Sequence, residues 1–149
     1  MNHLSIYIIN GKILTANGWL EGGSIILCDS KILEIANSDL PRVGATIVDV
    51  KGDYILPGFV AMNIHGGGGH AYKEGTREAF DIATDVHLKH GATTIFPTIY
   101  TAKTEKIYNS VRVCEEVMGE GKTVVKGIHI AGPYFNPQMV KSFPGAKNP

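Results

Sequence analysis

From Leu56-Pro57-Gly58 onward, short apolar runs alternate with amphipathic stretches, and this alternation leaves few folds open. Phe59-Val60-Ala61-Met62-Asn63-Ile64 is a near-continuous apolar run, the pattern of a strand buried on both faces. Thr76 is placed to cap a helix across about 77–90, with Ala79, Ile82, Ala83 and Val86 on one face and Gly91 as its C-cap. Thr93-Thr94-Ile95-Phe96 reads as the next buried strand, stopped by Pro97. Residues about 103–118 repeat Ile107, Val111, Cys114 and Met118 at helical spacing, and Gly119 and Gly121 end that helix. Thr123-Val124-Val125-Lys126-Gly127-Ile128-His129-Ile130 is a third strand, after which the chain becomes a proline-rich loop. The order is β-α-β-α-β, which calls for a parallel sheet and an α/β class. In such sheets the functional groups gather at the C-terminal ends of the strands. Those ends are His65 with the glycines after it, Pro97-Thr98, and Ala131-Gly132-Pro133.

Residues 1–56 have a different texture. Leu4 to Ile9 is β-rich, Asn10-Gly11 signals a hairpin, and Lys12 to Thr15 is its return strand. Asn17-Gly18 and Gly22-Gly23 punctuate again; Ser24–Cys28, Ile32–Ala36 and Thr46–Val50 are further strands. The segment reads as a small, mostly antiparallel β unit without helices. The chain therefore divides at about 56/57. The second part is only about a third of the roughly 250 residues that a closed α/β barrel needs. Ending in Asn148-Pro149 with no helix over the third strand, it reads as the front piece of a longer protein rather than an open three-stranded layer.

Composition narrows the function. Lys plus Arg and Asp plus Glu are both 14, so no basic surplus suits the chain to nucleic acid. Apolar residues are 44%, ample for a core, yet no run approaches the length of a membrane span, and Met1-Asn2-His3-Leu4 does not open a signal peptide. Cys28 and Cys114 are too few for a disulfide framework and fit a reducing cytosol.

Four groups of residues are candidates for chemistry. Asn63-Ile64-His65 spaces two side chains by two along a strand, so alternation puts both on one side, where a metal is reached from a single strand. Imidazole is a good zinc ligand and neutral asparagine a poor one; the plain alternative is a solvated polar pair. Gly66 to Gly69 permits close backbone approach to a phosphate or sugar, or serves as a flexible connection; it lacks dinucleotide and P-loop spacing. His129 lies in an apolar strand, where a satisfied core histidine is the simpler reading, and Ala131 offers no ligand atom. Lys147 is a point charge for an anion or merely a solvated lysine. His70, His87 and His90 read as surface residues, Glu115 and Glu116 as a solvated helix face, and no base stands by either cysteine to make it a nucleophile.

Taken together, Leu56-Pro57-Gly58-Phe59, His65 with four glycines, Glu74-Gly75-Thr76, Gly91-Ala92-Thr93-Thr94-Ile95-Phe96-Pro97-Thr98 and Gly127-Ile128-His129-Ile130-x-Gly132-Pro133-Tyr134-Phe135 occur in an order that resembles the N-acetylglucosamine-6-phosphate deacetylases of the amidohydrolase superfamily. The resemblance covers essentially the whole chain. It implies that residues 1–56 are part of a β-sandwich domain and that 57–149 are the first three strands of a (β/α)8 barrel, incomplete here. It implies hydrolysis of the acetamide of N-acetylglucosamine 6-phosphate to glucosamine 6-phosphate and acetate. One or two divalent metals, zinc foremost, would activate water, and an aspartate after the last strand would serve as base and acid. Cytoplasmic location and a homodimer are also implied, with no nucleic-acid or membrane partner.

The chain departs from that pattern at the metal. Ala61 and Asn63 stand where the family has Asp and the first His of a pair, leaving His65 and the weak Asn63 as metal candidates. Ala131 stands where the family has its central glutamate ligand. Gly132, Lys147 and Asn148 match substrate-binding positions, with Lys147 where His or Gln is usual. No catalytic residue is expected within the chain, which by itself is then inactive. Two alternatives stand beside a deacetylase front piece: a non-catalytic relative that binds a sugar phosphate or a protein, and a truncated, decayed product.

Overall fold

The computed structural model describes residues 5–29, 31–37, 44–132, 134, 136 and 138. They fall into two compact units that divide between Pro57 and Gly58.

The first unit is a five-stranded sheet built around β1 (Ser5–Thr15). One edge of β1 pairs antiparallel with β2 (Gly18–Cys28), which in turn pairs with β3 (Lys31–Ala36). The other edge of β1 pairs in parallel with β4 (Thr46–Asp49) and then with β5 (Tyr54–Ile55). The sheet is thus mixed, its longer pairings antiparallel as expected and the shorter ones to β4 and β5 parallel, and β5 was not anticipated. The hairpin expected at Asn10-Gly11 is not there. The turn falls at Ala16-Asn17, and Asn10-Gly11 is an irregularity within β1, where the register with β2 shifts. Asn10 takes the left-handed φ of 59° that asparagine tolerates. Its side-chain amide donates to Asp49 Oδ1 at 3.0 Å, tying the bulge to the end of β4. A Cβ at Gly11 would lie 2.2 Å from Ile55 Cδ1, so the glycine lets the Ile55 side chain approach β1 closely rather than making a turn. Gly22-Gly23 likewise lies inside β2. Tyr7, Ile13, Ile25 and Ile26 are buried, and the Tyr7 hydroxyl donates to Ser24 Oγ at 3.2 Å.

In the second unit β6 (Phe59–Ile64), β9 (Ala92–Tyr100) and β10 (His129–Ala131) form a parallel three-stranded sheet in sequence order. Two helices connect them, α1 (Arg77–Lys89) and α2 (Thr104–Gly119). Thr76 caps α1 as expected, its hydroxyl accepting the Ala79 N–H at 3.3 Å. The C-cap is His90; Gly91, with φ of 89°, is the residue beyond it. Ser110, Val113, Cys114 and Val117 are the buried positions of α2, with Ile107 and Met118 packed at its margin. Tyr72, Phe80, Ala83, Ile99 and Val125 complete this core between helices and sheet, each fully buried large apolar side chain contributing about 1.5–3 kcal/mol.

Three strand expectations change. β6 is not buried on both faces: Phe59, Val60 and Met62 are 58–65% exposed, and the strand lies at the edge of the sheet. β9 runs through Pro97 to Tyr100. Ile95 donates to Val124 O at 2.8 Å and accepts from Lys126 N at 3.0 Å, so two residues on the Pro97 nitrogen faces the same edge. There the neighbouring segment has left the ladder, touching β9 at Val125 and rejoining only at His129, so the missing N–H costs no bond. For the same reason the third strand is three residues long rather than eight. No helix among the described residues is long and apolar enough to cross a membrane.

Candidate functional site

The helices cover one face of the parallel sheet and leave the other open to function. Ile99 belongs to the helix-facing core, and Ile64 and Ile128 pack against it. Alternation therefore puts Thr98 and Tyr100 on the opposite face. Residues paired directly across a parallel ladder share a face, so His129, paired with Thr98, and Ala131, paired with Tyr100, join them. Thr98 Oγ1 and His129 Nδ1 are 3.3 Å apart. His129 is exposed, not the satisfied core histidine its apolar strand suggested, because its hydrogen bond lies on the helix-free face.

Tyr100 is the centre of the mouth. The His65 ring meets it edge-on, centroids 4.6 Å apart. Lys73 Nζ donates to the Tyr100 hydroxyl at 2.7 Å and lies 4.1 Å from the ring centroid. Lys73 is carried by a 3₁₀ turn, Tyr72–Glu74, which the surrounding chain holds from several sides. The Tyr72 N–H donates to His65 O at 3.0 Å, and the Ser110 hydroxyl donates to Tyr72 O at 3.0 Å. The Tyr72 ring packs edge-on against Phe80, and burial pushes its hydroxyl above the usual tyrosine value. Glu74 accepts the Ala71 N–H at 2.6 Å and the His70 Nδ1–H at 3.3 Å. The Ala71 bond first, and His70 second, hold its carboxyl below the usual carboxylate range.

The four glycines form a paired hairpin rather than a flexible connection. Gly66-Gly67, β7, pairs antiparallel with His70-Ala71, β8. Gly68 and Gly69, with φ of 61° and 85°, make the two-residue turn between them, of the type that needs both φ positive and matches the twist of the strands. A Cβ at Gly66 would lie 2.1 Å from His70 O. His87, expected at the surface, is half-buried because its Nε2–H donates to Gly66 O at 2.9 Å and pins this hairpin to α1. His90 is exposed and donates to Val86 O at 2.7 Å.

The expected site residues are only partly brought together. His65 reaches the mouth. Asn63 is exposed and lies where β6 advances three residues, Ala61 to Ile64, against two on β9. With that bulge in the strand, strict alternation no longer carries the expectation that Asn63 and His65 share a side. Ala131 stands beside Tyr100, and Gly132 follows with φ of 60°. Lys147 and Asn148, like Pro133, lie outside the described residues. The strand end expected at Pro97-Thr98 is at Tyr100. Lys73 and Tyr100 were missed. Tyr100 follows from Thr98 by alternation once β9 is read through Pro97, whereas nothing in the sequence announces the reach of Lys73.

This donor set does not fit a divalent metal. Among the described residues no three His, Cys, Asp or Glu side chains gather as a ligand group. The position beside Tyr100 offers a methyl group, and the Tyr100 hydroxyl is bonded to the Lys73 ammonium. Nor is there a thiol nucleophile on hand: Cys114 is buried, its Sγ 3.5 Å from Gly127 O, and burial pushes the thiol up to about 11. A separate cleft of about 240 Å³ lies by Leu88, Val117 and Thr123, and its Arg77 is paired with Asp81 and Glu120.

No family model matches the sequence. N-acetylglucosamine-6-phosphate deacetylase of Haemophilus influenzae is 30% identical over 132 residues, 87% of this chain and 34% of that protein. The crystal structure of N-acetylglucosamine-6-phosphate deacetylase from Pasteurella multocida superposes with a TM-score of 0.83 at 26% identity, covering 91% of this chain and 36% of the other. The Mycobacterium smegmatis N-acetyl-D-glucosamine-6-phosphate deacetylase mutant, in complex with N-acetyl-D-glucosamine-6-phosphate, shares the fold with a TM-score of 0.70 at 24% identity, over 91% of this chain and 34% of that one. The chain spans about a third of the length of the relatives it matches. In sequence and fold it is an N-acetylglucosamine-6-phosphate deacetylase-like polypeptide, corresponding to the amino-terminal portion of those proteins.

Proposed function

We propose that the chain supplies the front part of an amidohydrolase of the N-acetylglucosamine-6-phosphate deacetylase type, and that on its own it binds an amino-sugar phosphate without hydrolysing its acetamide. The observation that carries this reading is Ala131 beside Tyr100 on the helix-free face, at a strand-end mouth that His65 also reaches. What supports it is that the position matching the family's central carboxylate in the resemblance holds only a methyl group, beside Tyr100 in the ladder. In this reading residues 1–56 belong to a β-sandwich domain and 57–149 open a (β/α)8 barrel. Gly132, Lys147 and Asn148 contact the substrate. The protein is cytoplasmic and pairs as a homodimer. The divalent metal of the relatives has no described ligand set here, so no step is routed through one.

The test uses the full chain with N-acetylglucosamine 6-phosphate, with and without added zinc, and measures acetate. Glucosamine 6-phosphate binding is followed in parallel by calorimetry. Binding of the sugar phosphate with acetate at background is the expected result. Metal-dependent acetate release overturns the inactivity, and absence of any sugar-phosphate binding overturns the binding role.

A further inference from the structure

We infer that the strand-end mouth is an oxyanion site in which the Lys73 ammonium and the Tyr100 hydroxyl supply the ligand contacts, in place of a metal site. The inference concerns the same mouth as the proposed function and rests on its placement there, yet it needs no sugar to be tested.

The chemistry of the pair leads to it. An ammonium has three donors and no acceptor, and a phenol is both donor and acceptor. The Lys73–Tyr100 bond at 2.7 Å uses one ammonium donor and the phenol as acceptor. Two ammonium N–H groups and the phenol O–H are left for a further partner. Among the described residues no carboxylate lies within ion-pair distance of Lys73; Glu74, its neighbour, is turned to Ala71 N and His70. The 4.1 Å approach to the Tyr100 ring holds the ammonium in place by cation–π attraction and leaves its charge unneutralised. Lys73 is half-buried, so this charge is only partly hydrated. The His65 ring meets the Tyr100 ring edge-on, centroids 4.6 Å apart, and Ala131 adds no negative charge. A cluster of donors around an uncompensated positive charge is complementary to a compact oxyanion, a phosphate or a carboxylate. It repels the divalent cation that a carboxylate at position 131 would attract.

The probes are inorganic phosphate and acetate, titrated separately at constant ionic strength into the ¹⁵N-labelled full chain, with sodium chloride as the screening control. Saturable shifts at the amides of Lys73, Tyr100 and Ala131, absent with chloride, are expected in the millimolar range. Saturation by phosphate well before acetate assigns the site to a phosphate group, and the reverse order to a carboxylate; either supports the inference. Lys73→Met lowers the affinity at least tenfold, and Tyr100→Phe about fivefold. Shifts that track chloride, an affinity within twofold after Lys73→Met, or micromolar zinc moving the same amides would overturn it. Should Lys73→Met lose its dispersed spectrum, Tyr100→Phe decides, since it removes one oxygen, and unchanged affinity in that variant sinks the inference. Glucosamine 6-phosphate binding no better than phosphate alone counts against the amino-sugar reading and leaves the oxyanion site standing.

Discussion

Ala131 and Tyr100 are direct partners in the parallel ladder between β10 and β9, so the alanine methyl and the phenol ring stand side by side on the helix-free face. A longer side chain at 131 would therefore meet Lys73 through Tyr100. Ala131→Glu introduces the carboxylate that the family resemblance implies at this position, yet the other ligands of a metal group do not gather among the described residues. The variant is expected to pair with Lys73, to lose phosphate affinity at least tenfold, and to release acetate only at background. Zinc-dependent turnover in Ala131→Glu would show that one carboxylate is all the chain lacks.

The glycine hairpin makes a prediction with an internal control. At Gly66 a Cβ meets backbone, 2.1 Å from His70 O and 2.7 Å from Ala71 Cα, and neither can yield cheaply. Gly66→Ala should cost about 2–4 kcal/mol. At Gly69 a Cβ has open space and only the φ of 85° opposes it, so Gly69→Ala should cost about 1 kcal/mol. Urea unfolding of both variants decides; equal losses would mean that β7 and β8 do not pair.

Glu74 gives the turn that carries Lys73 a pH dependence. Its folded-state pKa lies below the ordinary value of 4.5, so folding favours the ionised form. The stabilisation is complete above that ordinary value and is lost as pH falls through the lowered one. The carboxylate is partly exposed, so Glu74→Gln should cost about 0.5–1 kcal/mol at neutral pH after solvent screening, and the difference from the parent should shrink steadily as pH falls below the ordinary value of 4.5. Melting curves of the two proteins across this range would show it; a difference that grows on acidification contradicts the Ala71–Glu74 bond.

Cys114 should be silent toward alkylation. It is 1% exposed, and burial raises its thiol to about 11, so the thiolate is scarce at pH 8. Native protein treated with iodoacetamide and mapped by mass spectrometry is expected to remain unmodified at Cys114 and to react there once unfolded. Rapid native labelling would place α2 in a different rotation against the sheet.

The elements themselves were legible where period and punctuation agree. Thr76 with its apolar i, i+3, i+4 face fixes α1, and the spaced apolar residues from Ile107 to Met118 fix α2. Asn10-Gly11 misled because the dipeptide that favours a tight turn also suits a bulge, and the partner deciding between them, Ile55, is more than forty residues away. Pro97 misled because a proline breaks a ladder only where its N–H has an acceptor to lose. His65 and Ala131 were found as positions in a pattern. The Lys73–Tyr100 pair was not, since it depends on a turn of three residues folding back over a strand end.

The placement of β1 has a consequence for how the chain assembles during synthesis. β1 and β2 can zip together as soon as Cys28 is clear of the ribosome, but the second edge of β1 stays bare until Thr46–Asp49 and Tyr54–Ile55 emerge. For that interval a nascent hairpin exposes unpaired amides and isoleucines to any other strand. The unit closes in one late, non-local step, whereas the sheet after Gly58 adds each strand next to the one made before it. Misassembly should therefore begin in the β1–β2 hairpin, in the interval before Ile55 emerges and thus before any of the second unit has been made.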